Sequence, residues 1–104
     1  MTFGEFIKQK FVLPARQKVD VGWCVYNVKL HNGLITFDMN IFRYIYGTDP
    51  RLADQCGAIR ATIEYNPDRF TIDEEIGRAI IDTEDALVWL KQTELVDAKI
   101  LRKK

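Results

Sequence analysis

The chain has 104 residues, with 15 basic and 15 acidic side chains that cancel to zero net charge, 47% hydrophobic residues and 29% charged. That length suits one domain, and the apolar and charged fractions exclude a disordered chain. No apolar run approaches the roughly 18 residues of a membrane-spanning helix, and the N-terminus lacks the apolar core and cleavage site of an export signal, so a cytoplasmic protein is expected.

"TFGEFIKQKF" opens with Thr2 three places before Glu5, the spacing of a capping box, in which hydroxyl and carboxylate satisfy free amides at a helix start. Phe3, Phe6, Ile7 and Phe11 then recur on one helical face, so an amphipathic helix is predicted from about Phe3 to Phe11, ending before Pro14. A polar connection, "PARQKVDVG", follows.

"YNVKLHNGLITFDMN" sets Asn32-Gly33 between alternating apolar residues, a hairpin signal, because a tight type I′ turn needs positive φ at both central positions. With strands at about 21–31 and 34–45, Cys24, Tyr26, Val28 and Leu30 face Ile41, Met39, Phe37 and Ile35 on an apolar side. Asn27, Lys29 and His31 share the polar side with Leu34, Thr36, Asp38 and Asn40. The single histidine and Cys24 are therefore expected on opposite faces, unable to act as a nucleophile–base pair. Trp23, Phe42, Tyr44 and Tyr46 turn the open end of the polar side aromatic, with the first helix as the expected cover.

"YGTDPRLADQCG" carries turn residues and room for one helical turn, and "AIRATIEY" alternates as a third strand at about 58–65. Thr71 and Glu74 read as a second helix start, with Ile76, Ile80, Thr83, Leu87 and Leu90 at helical spacing, although Gly77 weakens it. Thr83-Glu84-Asp85 reads as a restart favoured by the helix dipole. The last segment, through Val96, Ala98 and Ile100, fits a helical extension or an edge strand equally. The expected fold is a single α+β domain over residues 1–104. It has an N-terminal helix, an antiparallel sheet of three or four strands, and one or two C-terminal helices packed on one face.

Charge is unevenly placed. Met1–Ile63 carries eight basic and five acidic residues, Glu64–Asp97 three and ten, and Ala98–Lys104 four and none. Catalytic signatures are missing: the glycines are scattered singly, the chain has no serine, and neither cysteine stands at metal-ligand spacing from a partner. No catalytic residue, metal or cofactor is expected. The residues left to carry function are the aromatics Trp23, Phe42, Tyr44 and Tyr46 and the acids Asp73, Glu74, Glu75, Asp82, Glu84 and Asp85. They suit a non-catalytic protein-interaction module, an adaptor, inhibitor or assembly factor of bacterial or phage type, acting on a protein partner or as a homodimer. The alternative is a nucleic-acid-binding module using the aromatic face and the basic tail, and a third reading is a small enzyme of unknown chemistry. No membrane partner is expected.

Overall fold

The computed structural model describes residues 1–104. Helix α1 (Phe3–Lys10) is followed by strands β1 (Gln17–His31) and β2 (Leu34–Ile45), a 3-10 turn (Pro50–Leu52), and β3 (Asp54–Glu64). Then come β4 (Phe70–Asp73), β5 (Arg78–Ile81), helix α2 (Glu84–Gln92) and β6 (Asp97–Lys103). All strands join one antiparallel sheet in the order β4-β5-β1-β2-β3-β6. The sheet thus has six strands rather than the expected three or four, and a single C-terminal helix. No helix is long and apolar enough to cross a membrane.

Both helices lie on one side of the sheet. Phe3, Phe6 and Ile7 of α1 and Ala86, Leu87 and Leu90 of α2 bury themselves against Ile35, Phe37, Met39 and Ile41 of β2 and Ile59, Ala61 and Ile63 of β3. Each fully buried Phe, Ile or Leu contributes about 1.5–3 kcal/mol relative to exposure. The Thr2 cap read from the sequence forms, its hydroxyl accepting the Glu5 N–H, and at the expected restart the Thr83 hydroxyl caps α2 by accepting the Ala86 N–H. Where the helices meet, Gly4 lies so close to α2 that a Cβ there would stand 2.9 Å from the Lys91 carbonyl oxygen.

The hairpin turn is the one the dipeptide demands, with φ of 52° at Asn32 and 77° at Gly33. His31 faces Leu34, Leu30 faces Ile35 and Lys29 faces Thr36. Beyond that point β1 carries two irregularities, one between Tyr26 and Lys29 and one between Val21 and Val25. Asn27, at φ 51°, sits in the first. Each inserted residue changes which face the next one takes. Tyr26 therefore opposes Asp38 instead of Met39, and Val21 opposes Ile41 in place of Cys24. Val21 and Val25 enter the core, while Cys24 is exposed. The expectation that Cys24 and His31 occupy opposite faces is overturned. Both lie on the side without helices, separated by roughly 20 Å of strand at about 3.3 Å per residue.

The C-terminal third departs furthest from expectation. Thr71 and Glu74 start no helix; β4 and β5 form a hairpin, with Phe70, Ala79 and Ile81 buried and Thr71, Asp73 and Ile80 exposed. The Asp73 carboxylate accepts the N–H groups of Glu75 and Ile76, and Gly77 closes the turn at φ 65°. A side chain that satisfies turn amides and a left-handed residue four places on both oppose helix continuation. The ambiguous last segment is the edge strand β6, which places Ala98 and Ile100 beside Ala61 and Ile59.

The helix-free face is polar and internally bonded. Asp38 in its centre is only 2% exposed, and its carboxylate accepts Arg60 Nε at 2.7 Å, Arg60 Nη2 at 3.1 Å and Asn27 Nδ2 at 2.7 Å. Alongside, the Asn40 side-chain carbonyl accepts the Tyr26 hydroxyl at 3.0 Å and the Gln55 amide at 2.8 Å. Burial pushes the Asp38 carboxyl up, but the bonds from Arg60 and Asn27 outweigh it and hold the acid below its ordinary value of 3.8. A depressed acid stabilises the fold above that value, and the contribution is lost as pH falls through the folded-state value.

Two outcomes follow from this packing. A Cβ at Gly57 would stand 2.6 Å from the Phe11 ring and 2.5 Å from the Arg102 carbonyl oxygen. Gly57→Ala should therefore cost about 1–3 kcal/mol in urea unfolding, the range for overpacking a filled core. Arg60→Met leaves a buried carboxylate without its cation, so it should lower stability at pH 7. Burial then dominates and raises the Asp38 value, so the stability gap from wild type should narrow as pH drops from 7 to 4. A gap that stays constant in pH-dependent melts would show that Arg60 does not govern this carboxyl.

Candidate functional site: an aromatic groove

β1 pairs with β2 along its length but with β5 only from Cys24 to Tyr26. The stretch before Cys24 therefore has no strand on its other side. Helix α2 stands there instead, tied by Lys91 Nζ to Asp20 Oδ1 at 2.6 Å. Asp20 also accepts the Val21 N–H at 2.9 Å, occupying a backbone donor at this open edge.

Around that edge lies a groove of about 530 Å³. Its floor is aromatic: Phe42 and Tyr44 continue the outward alternation of Asp38 and Asn40 along β2, and the Phe42 ring packs over Gly22, where a Cβ would stand 3.1 Å from it. Trp23 adds a third ring from the irregular part of β1. One wall is α2, through Glu84, Leu87, Val88 and Lys91; the other is the 3-10 turn at Pro50 and Arg51. Trp23 is 47% and Val88 48% exposed, so the groove presents apolar surface to water. Lys18 Nζ stands 5.9 Å from the Tyr44 ring centre, a cation–π spacing that steadies the ring from outside.

Among the residues singled out in the sequence, Trp23, Phe42, Tyr44 and Glu84 come together here. Tyr46 does not; it lies past the end of β2, where its N–H bonds to the Arg16 carbonyl. Asp73, Glu74 and Glu75 belong to the β4–β5 turn, around a separate hollow that also touches Cys24, Ile76 and Ile80. Asp82 receives the Thr71 hydroxyl, and Asp85 occupies the first turn of α2 beside Glu84. The acids thus divide between two places. The expected cover of the aromatics is also corrected: no residue of α1 lines the groove, and α2 borders the rings instead. Leu87, Val88 and Lys91 were missed as site residues because an apolar run such as "ALVWL" says that a segment is buried without saying beside which strand.

The two thiols differ. Cys24 is exposed and Cys56 buried, and burial pushes the Cys56 thiol up, against the opposing charge of Arg43. A raised thiol resists becoming the thiolate that nucleophilic chemistry needs. His31 bonds only to the neighbouring Asn32 amide, at 3.1 Å. No group of three or more His, Cys, Asp or Glu side chains converges in metal-binding geometry.

No family model matches the chain, no curated protein is similar to it, and no solved structure matches its fold.

The groove's rings and its wall differ in what they hold up. Trp23→Ala should shift the melting temperature by no more than a few degrees, since surface truncation usually stays within about 0.5 kcal/mol. Leu87→Ala, at an 8% exposed position, should cost about 2–5 kcal/mol. Equal losses in thermal melts would place Trp23 in the core and close the groove.

Proposed function

We propose that the chain is a non-catalytic protein-interaction module that takes an apolar side chain of a partner protein into the groove of Trp23, Phe42 and Tyr44. The observation that carries this reading is the convergence of three aromatic rings from two strands with the apolar flank of α2 on one open groove. Aromatic rings held on rigid strands lose little conformational freedom on binding, and this composition is typical of interface anchors. Glu84, with no cation paired to it, favours a partner whose apolar anchor has a Lys or Arg beside it.

Charge weighs against the nucleic-acid alternative. The groove carries no basic excess: Asp20 and Glu84 line it alongside Lys91 and Arg51, which are paired with Asp20 and Asp49, while Lys99, Arg102 and Lys103 lie on β6, beyond β3 from the rings. Single-strand binding needs stacking rings inside a basic channel.

A photocrosslinking side chain placed at Val88 should join the chain to a discrete protein in a lysate of its host, whether or not nuclease is present. Tyr44→Glu should abolish that product while far-ultraviolet circular dichroism stays unchanged. A product removed by nuclease would transfer the groove to nucleic acid, as would single-stranded oligonucleotide binding that weakens steeply with salt. A product indifferent to Tyr44→Glu would refute the groove as the contact.

A further inference from the structure

The chain has four asparagines, Asn27, Asn32, Asn40 and Asn66, and the hairpin tip sets one of them apart. An asparagine loses its side-chain nitrogen when the backbone nitrogen of the next residue attacks its Cγ and closes a succinimide ring. That attack needs a free N–H on the following residue, room around it, and a carboxamide that is not held elsewhere.

Three of the positions fail those conditions. Val28, after Asn27, donates its N–H to the Gly77 carbonyl at 3.1 Å, and the Asn27 amide is bonded to Asp38 at 2.7 Å. Asn40 lies on β2 between β1 and β3, its side-chain oxygen held by Tyr26 and Gln55, with the branched Ile41 next in the chain. Asn66 precedes Pro67, which has no N–H with which to attack.

Asn32 meets them all. His31, Asn32 and Gly33 are exposed, the Gly33 N–H makes no hydrogen bond, and nothing lies within 4 Å of the point where a Cβ at Gly33 would stand. Ring closure rotates the Asn32 backbone out of the turn conformation. The backbone of the two tip residues makes a single hydrogen bond, from the Tyr65 N–H to the Gly33 carbonyl at 2.9 Å, so that rotation has little to break. A proton carrier stands beside the leaving group: His31 Nε2 and Asn32 Nδ2 are 3.1 Å apart. Histidine suits that place, because its ring gains and loses protons near neutral pH.

We propose that Asn32 is a site of spontaneous deamidation, with His31 supplying the proton that leaves with the side-chain nitrogen. The Gly33 nitrogen gives its proton to solvent and forms a bond to Asn32 Cγ. The side-chain nitrogen takes a proton from the imidazole, which solvent restores, and departs as ammonia. Water then opens the succinimide at either carbonyl, so asparagine and water become ammonia and either aspartate or isoaspartate. Opening at the backbone carbonyl gives isoaspartate, whose extra backbone carbon no longer fits a two-residue turn. None of these residues lines the aromatic groove, so the two proposals stand or fall separately.

Peptide mapping by mass spectrometry, on protein incubated at neutral pH in heavy-oxygen water, tests this, with fragmentation locating the modified residue. Deamidation should build up at Asn32 while Asn27, Asn40 and Asn66 stay intact, with oxygen taken up from water and isoaspartate among the products. His31→Gln should leave the circular dichroism unchanged and slow the reaction about tenfold, short of the roughly 100-fold of a donor fixed in place. An Asn32 that stays intact, or that Asn27 or Asn40 outpaces, overturns the proposal, and that result needs no variant to fold. Aspartate without isoaspartate, the mark of direct hydrolysis, overturns it as well, and so does an equal rate in His31→Gln.

Discussion

The carboxylate of Asp38 is the point on which three strands agree. It sits on β2, receives two bonds from Arg60 on β3, and takes a third from Asn27 on β1. A buried acid without those donors would cost several kcal/mol, so the cation and the amide have to be in place. Asn27 reaches Asp38 from the irregular part of β1, at positive φ. The same irregularity carries Val25 into the core and turns Tyr26 outward to Asn40. One polar contact and the register of the longest strand are thus linked.

The rest of the architecture follows from one-sided burial. Two short helices cover one face of a six-stranded sheet, and the core forms there. The other face satisfies its polar groups internally, through Asp38 with Arg60, Asn40 with Tyr26 and Gln55, and Thr36 with Thr62. Every side-chain nitrogen and oxygen that is buried finds a partner. The groove opens where the scheme runs out: β5 is four residues long, β1 fifteen, and the uncovered part of β1 is bordered by a helix. A short strand beside a long one leaves an edge, and the aromatic rings collect around it.

Part of that site was legible. Trp23, Phe42 and Tyr44 stand out because rings at the polar positions of a hairpin need a reason to be there, and Phe42 and Tyr44 share parity on a regular strand. Trp23 joins them by way of the irregularities, which no alternation pattern contains. Tyr46 shares the same parity yet falls outside, since β2 ends at Ile45. The pairing of Asp38 with Arg60 was within reach: opposite charges at outward positions of two neighbouring strands meet once the β2–β3 register is set. What hid it was the missing register, a long-range quantity.

Local chemistry alone determined the two caps at Thr2 and Thr83, the Asn32-Gly33 turn and the β3 alternation, because each depends on side chains within a few residues of the backbone they serve. Only the tertiary structure decided the faces of Cys24 and Tyr26, the strands made from Phe70 to Ile81, the edge position of β6 and the place of α2. Each of those depends on which distant segment supplies the hydrogen bonds. Spacing such as that of Ile76 and Ile80 fits a helix until a neighbouring strand offers its edge. The burial gained beside β1 then outweighs the weak local preference.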